Sequence, residues 1–340
     1  MDCRPAACGF LRQIAESRAT GMEPLSNVSP LVMSSPDLQV RPELWPVIRT
    51  FEMADGYRLH SRFWSPAAWP RGRILALHGI QSHSGWYEWS CRRLCQAGYE
   101  ICFLDRRGSG MNERERGHAE SGAQLVSDVE QVASQLASDD PVTGDDSRGG
   151  DPAAAIPLTL LAISWGGKIA AAAAARAPER FAGLILCTPG LFPRIGPRPD
   201  QAVRLKLARW LRIRRRMVPV PLNDPALFTD LPDWRDWIRR DPLALHEVTS
   251  GFLLAGQDLD RMREETAHQI DCPSLLVLAG KDRIIDNEAT RRFWQSLPVP
   301  HKHLIEYPEA CHTLEFDSQR ETFLRDLLCW LETREIATDR

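Results

Sequence analysis

Three side chains, far apart in the chain, offer one chemistry: the hydroxyl of Ser164, the carboxylate of Asp282 and the imidazole of His312. A serine hydroxyl is a weak nucleophile near neutral pH. It needs a base to take its proton, and the base needs an acid to orient it. Ser164 ends the apolar run Leu158–Ile163, and an alanine-rich helical stretch follows at once. Small residues stand two before and two after it, Ala162 and Gly166, where a strand and a helix must pass close together. The pattern is G-x-S-x-G with one added methyl. A serine in an ordinary strand-to-helix turn reads the same over five residues, so the assignment rests on the partners.

The partners occur in the order such a nucleophile requires, acid and then histidine. Asp282 falls just past the apolar run Ser274–Ala279, and His312 just past the run His303–Tyr307. Asp286 is the alternative acid, although its place suits a helix cap. His301 and His303 stand before or at the start of their run, on the opposite edge, and are expected to be solvated. A developing oxyanion needs donors, each worth about 2.7–4 kcal/mol of barrier. The backbone N–H groups of Trp165, after the nucleophile, and Ile80, after the run Arg73–Leu77, are the candidates.

These groups need a common scaffold. Val47–Met53 and Tyr57–Trp64 are β-rich and separated by Ala54, Asp55 and Gly56, a hairpin signal. Further apolar runs lie at Arg73–Leu77, Tyr99–Leu104, Leu158–Ile163, Phe181–Cys187, Ser274–Ala279 and His303–Tyr307. Several are continuous rather than alternating, as strands buried on both faces should be. Helical stripes intervene, with Leu125, Val129, Val132 and Leu136 in one and Phe323, Leu324, Leu327, Leu328 and Leu331 in another. The predicted class is α/β: a mostly parallel sheet with helices on both faces and an antiparallel edge at the front.

Residues 1–44 hold scattered prolines and no sustained period, and read as an N-terminal extension. Residues 139–155 read as a polar surface loop. Residues 191–269 are strand-poor and read as a helical cap set into a core formed by 45–190 and 270–340. Within the cap, Arg194, Arg198, Arg204, Lys206, Arg209, Arg212, Arg214, Arg215 and Arg216 face a single acid, Asp200. Val203, Leu207, Trp210 and Leu211 share one helix face. That stripe is expected to pack on the core beneath a solvated basic face. The same pattern also suits a lid lying on an anionic lipid surface. Trp210, Trp234, Trp237 and Gln81 are candidate substrate contacts, the tryptophans of the Trp234–Trp237 segment being expected to pack rather than to bind a cation.

The 340 residues carry a net charge of −3 and are 43% hydrophobic and 26% charged. A core of good size follows, and disorder is excluded. The charge balance does not suit a nucleic-acid binder, and no apolar run has the length of a membrane span. The nine cysteines are scattered, without zinc spacing. Reduced thiols, a cytoplasmic location with peripheral membrane contact through the cap, and no metal or cofactor are the expectations.

With these residues in hand, the chain resembles the α/β-hydrolase superfamily, and within it the monoglyceride lipase, lysophospholipase and serine-aminopeptidase-like branch. His78-Gly79 followed by His83, Ser84, Gly85, Trp86, Tyr87 and Glu88 is similar to that branch's HG…HS…Y(E) segment. Asp105 to Gly110 and Arg116-Gly117-His118 are similar to its D-x-RG-x-G…RGH segment. Asp233 to Trp237 and Asp241-Pro242-Leu243 look like its cap elements. The departures are Ala162 and Gln81, each where glycine is common. The resemblance implies hydrolysis of a lipid-like ester, such as a monoacylglycerol or a lysophospholipid, through an acyl-enzyme on Ser164. An acyltransferase, an aminopeptidase-type hydrolase or a non-catalytic binding protein on the same fold are the alternatives.

Overall fold

The computed structural model describes residues 45–138, 156–196, 199–299 and 301–338. The expectations for residues 1–44 and 139–155, and for Arg198, lie outside them.

Eight strands form the main sheet: β1 (Val47–Glu52), β2 (Arg58–Trp64), β3 (Gly72–Leu77), β4 (Tyr99–Leu104), β5 (Leu158–Ile163), β6 (Gly183–Cys187), β9 (Ser274–Ala279) and β10 (Lys302–Tyr307). A short antiparallel pair, β7 (Met217–Pro219) and β8 (Glu247–Thr249), lies apart from it. β1 and β2 form the front hairpin, where Gly56 takes a φ of 70° that a side chain would resist. β2 joins β4 antiparallel, and every later pairing in the main sheet is parallel. β3, β4, β6 and β9 are buried at every position, which is why their sequences do not alternate.

The spatial order is β1-β2-β4-β3-β5-β6-β9-β10. After β3 the chain first builds outward to β4, then returns to the other side of β3 as β5. The order therefore reverses between β3 and β5, and ligand sites in open α/β sheets collect at such a point. Leu77 pairs with Ala162 at the carboxyl ends of these two strands. The segments that leave them, Gly79–Gln81 and Ser164–Gly166, emerge side by side.

The sheet is covered by α1 (Glu88–Gln96), α2 (Gly122–Ser138), α3 (Gly166–Arg176), α7 (Asn287–Ser296) and α8 (Arg320–Thr338). The long connection from β6 to β9 holds α4 (Pro199–Trp210), α5 (Pro232–Arg240) and α6 (Ser250–Thr266). The expected cap span is thus mixed in character. α6 packs against α2 and α3, and Lys168 of α3 is paired with Asp260 of α6. α4, β7 and α5 make up the rest of the connection, and α4 carries its exposed apolar residues outward. Among the described residues, no helix is long and apolar enough to cross a membrane.

Candidate active site

Ser164 lies between β5 and α3 with a φ of 52°, a left-handed conformation that costs a side-chain-bearing residue of order 1–3 kcal/mol. Neighbouring backbone holds it there. Its N–H bonds the Cys187 carbonyl at 3.0 Å, and its own carbonyl accepts from Gly167 at 2.9 Å and from Gly190 at 2.6 Å. A Cβ on Gly166 would stand 2.7 Å from the His78 carbonyl oxygen, so strand and helix do pass too closely for a larger residue. Ala162, fully buried in β5, accommodates its extra methyl.

The other two predicted groups converge on this serine. His312 Nε2 is 2.8 Å from Ser164 Oγ, and His312 Nδ1 is 2.7 Å from Asp282 Oδ2. A carboxylate only accepts, so Nδ1 carries the proton and Nε2 faces the hydroxyl as an acceptor. The second oxygen of Asp282 accepts the N–H groups of Ile284 and Ile285 at 2.8 and 2.9 Å, which fixes the plane of the carboxylate. All three side chains are buried. Asp286 caps α7 by accepting the Ala289 N–H, and takes no part.

The loop after β3 closes one side. A Cβ on Gly79 would lie 3.1 Å from Ser164 Cβ and 3.4 Å from Ser164 Oγ, so this loop touches Ser164 directly. Among the described residues, neither Ile80 N–H nor Trp165 N–H has an acceptor. Both carbonyls flanking Ile80 N–H are held. His78 Nδ1 lies 2.8 Å from the Gly79 oxygen, while His78 Nε2 accepts the Arg106 N–H at 3.1 Å. Burial, helped by the Arg106 charge, pushes the His78 imidazole down to about 3, so it stays neutral with its proton on Nδ1. The Arg106 guanidinium donates to the Ile80 carbonyl and lies 4.6 Å from the Phe252 ring centroid and 5.3 Å from that of Trp165. Burial lowers Arg106 to about 9, which leaves it charged at neutral pH. The sequence marks Arg106 only as a variable position inside the D-x-RG-x-G segment.

The four candidate substrate contacts separate. Gln81 is buried; its main-chain carbonyl accepts the Leu245 N–H at 2.9 Å and its Nε2 lies 3.3 Å from His246 Nδ1, so it joins the loop after β3 to the cap segment. Its Oε1 is buried without a partner among the described residues. Trp234 stacks on Phe316 with centroids 4.3 Å apart, and Trp237 packs edge-on against Trp86 and Phe316. This aromatic cluster reaches His312 through Phe228, whose ring lies 5.6 Å from that of Trp86 and 6.0 Å from that of His312.

For Trp210 the correction concerns packing. It is 78% exposed, and Val203 on the same face is 65% exposed. The expected packing of the Val203–Leu207–Trp210–Leu211 stripe on the core is overturned. α4 turns its other side inward and buries Leu205 and Ala208, with Arg209 reaching the Leu254 carbonyl and Asp258 of α6.

A family model described as serine aminopeptidase, S33, matches residues 68–319. Among curated proteins, the chain is similar to a monoacylglycerol lipase of Mycolicibacterium smegmatis, at 25% identity over 83% of this chain and 95% of that one. It is also similar to the monoglyceride lipase of Rattus norvegicus, at 27% identity over 83% of this chain and 89% of that one. Among solved structures, a soluble variant of the Saccharomyces cerevisiae monoglyceride lipase, in complex with a substrate analog, superposes with a TM-score of 0.73. That match has 21% identity and covers 88% of this chain and 97% of that one. The Paleococcus ferrophilus monoacylglycerol lipase superposes with a TM-score of 0.69, at 24% identity over 81% and 99%. With the elbow serine, the reversal of strand order beside it and a family match across most of the length, the chain belongs to the serine aminopeptidase S33 family of α/β-hydrolases.

Proposed function

We propose that this protein is a serine hydrolase that cleaves the carboxylic ester of monoacylglycerol-like lipids through an acyl-enzyme on Ser164. The observation that carries the reading is the continuous relay from Ser164 Oγ to His312 to Asp282, at 2.8 and 2.7 Å. His312 takes the serine proton as Oγ attacks the ester carbonyl, and Asp282 stabilises the imidazolium. His312 then returns the proton to the leaving alcohol. Water, activated by the same imidazole, releases the acid. Ile80 and Trp165 N–H receive the oxyanion, and Arg106 and His78 hold the Ile80 peptide in place to do so.

An ester is favoured over a peptide, despite the family's description, by the use already made of the acids near the seam. Asp241 is taken by His83 and Trp86, Asp230 by Arg235 and Arg283, and Asp236 by Arg239. A free amino terminus would have to compete with these partners for them. The monoacylglycerol-like substrate is supported by the relatives whose names give that activity, and by the apolar aromatic cluster beside His312.

The exposed apolar part of the cap is the lipid-facing surface in this reading. Val203, Leu207, Trp210, Leu211, Ile213 and Met217 are all exposed, and among the described residues the exposed Lys206, Arg212 and Arg216 make no ion pair. An apolar patch edged by unpaired cations suits an anionic lipid interface.

Ser164→Ala tests the core of the proposal. Hydrolysis of p-nitrophenyl esters and of monoolein should fall by at least about 10⁴-fold with the folded state retained, and labelling by a fluorophosphonate should vanish. Retention of most of the activity overturns it.

A further inference from the structure

The loop that carries His312 is gripped by the cap, over one short segment. The Thr313 N–H, next to the base, donates to the Phe228 carbonyl at 2.9 Å. Thr229 is fully buried, and its hydroxyl donates to the Phe316 carbonyl at 2.6 Å while accepting the Leu231 N–H at 3.1 Å. On the other side of His312, burial and the nearby Asp230 carboxylate push the Cys311 thiol up to about 11. The same segment reaches the acid's loop. Arg283, directly after Asp282, donates to the Ala226 carbonyl at 3.3 Å and lies 3.7 Å from Asp230. Residues 226–230 thus cross over both loops that hold the relay, and the buried Thr229 ties its hydroxyl to the turn after His312.

We propose that Thr229 is a positioning residue for His312: its hydroxyl ties the cap to the turn that follows the base and so sets the distance from imidazole to nucleophile. The inference rests on the reading of Ser164, His312 and Asp282 given above. The core holds other points of this turn, since Asp317 accepts the Cys311 N–H at 2.9 Å and Glu315 accepts the Trp89 and Ser90 N–H groups, so Thr229 is a side-chain tie from the cap side. The Thr188 hydroxyl holds the His312 carbonyl at 3.0 Å, but it acts on the backbone before the turn, and Thr229 acts after it. A loop that loses this tie lets the ring shift, and small misplacements of a reacting group are costly even when binding is intact.

The test is Thr229→Val, which keeps the shape and deletes the hydroxyl, beside Thr229→Ser, which keeps the hydroxyl, and His312→Ala. With p-nitrophenyl butyrate, Thr229→Val should lower kcat by about 10–100-fold with little change in KM, slow fluorophosphonate labelling in parallel, and be rescued by serine. A Thr229→Val protein with kcat near wild type, even at a lower Tm, overturns the inference, and so does a Thr229→Ser protein as impaired as the valine variant. Should the valine variant not fold, Asp230→Ala on the exposed side of the same segment should lower kcat without raising KM, and an unchanged kcat there overturns it. An active His312→Ala protein would instead overturn the underlying reading of the relay.

Discussion

Asp241, at the end of cap helix α5, and His83, in the loop after β3, meet across the seam between cap and core at 2.9 Å. The same Asp241 oxygen accepts the Trp86 indole N–H at 2.6 Å, and the other oxygen accepts the Leu243 N–H at 2.9 Å. His83 Nδ1 accepts the Gly85 N–H, so the proton shared with Asp241 is on Nε2. Burial by itself would raise this carboxyl; His83 and the hydrogen bonds outweigh it and hold it down at about 2. A carboxyl depressed on folding stabilises above its ordinary value of 3.8, and that contribution is lost as pH falls toward about 2. About 2 kcal/mol should disappear across that window. Asp241→Asn should flatten the Tm profile between pH 4 and pH 2, and a profile parallel to wild type would show that the contact contributes nothing there.

The exposed face of α4 gives a second expectation. Leu207→Asp combined with Trp210→Ala removes apolar surface that is 50% and 78% exposed, so the stability change should stay within about 0.5 kcal/mol. Hydrolysis of a soluble short-chain ester should be unchanged, while hydrolysis of monoolein in anionic vesicles, and sedimentation with them, should fall several-fold. Equal binding of the wild type to neutral and anionic vesicles would remove the role given to Lys206, Arg212 and Arg216.

Gly190 gives a third. A Cβ there would stand 2.9 Å from both the N and the Cα of Trp165 and 3.1 Å from the Ser164 carbonyl carbon. These are backbone atoms of the strained turn and of Trp165, whose N–H is a proposed oxyanion donor, so they cannot move aside cheaply. Gly190→Ala should cost about 1–3 kcal/mol in stability and lower kcat more than it changes KM. Gly196→Ala, where a Cβ would meet nothing within 4 Å, is the control and should be near neutral. Equal behaviour of the two variants would show that the turn tolerates displacement.

The convergence of Ser164, Asp282 and His312 was legible because Ser164 and Asp282 follow largely or fully buried strands, His312 follows the edge strand after them, and the chain order restricts which acid and which histidine can meet. The front hairpin was legible from Asp55-Gly56. The buried face of α4 was not. Periodicity identifies an amphipathic stripe but not whether protein or solvent lies opposite it, and here α6 takes the narrow side carrying Leu205 and Ala208. Arg106 and Thr229 were invisible for another reason. Their partners are main-chain carbonyls of Ile80 and Phe316, brought near by loops with no sequence period, so residue type alone says nothing of the contact. The link from His83 to Asp241 is of the same kind, since both positions were noted but nothing in their spacing joins them.

Glu315, in the turn after His312, gives the last expectation, with the opposite sign. One carboxyl oxygen accepts the Trp89 and Ser90 N–H groups at 3.0 and 3.1 Å, at the start of α1. The group is fully enclosed beside a small apolar cavity that extends from His312 between the sheet and α1 and α8. Burial raises it to about 7, against the pull of those hydrogen bonds and of Arg320. The native state therefore holds a proton that the unfolded chain releases near its ordinary value of 4.5. A carboxyl raised on folding costs nothing below that value, and stability is lost as pH climbs to about 7, by about 3 kcal/mol in all. Glu315→Gln keeps an acceptor for both N–H groups and removes the charge. Its Tm should match the wild type near pH 4.5 and exceed it at pH 8, with most of the divergence between those limits. Thermal unfolding at several pH values reads this directly. Curves that run parallel across the range would mean that Glu315 is ionised in the native state at little cost, and that the two N–H donors suffice to hold its charge.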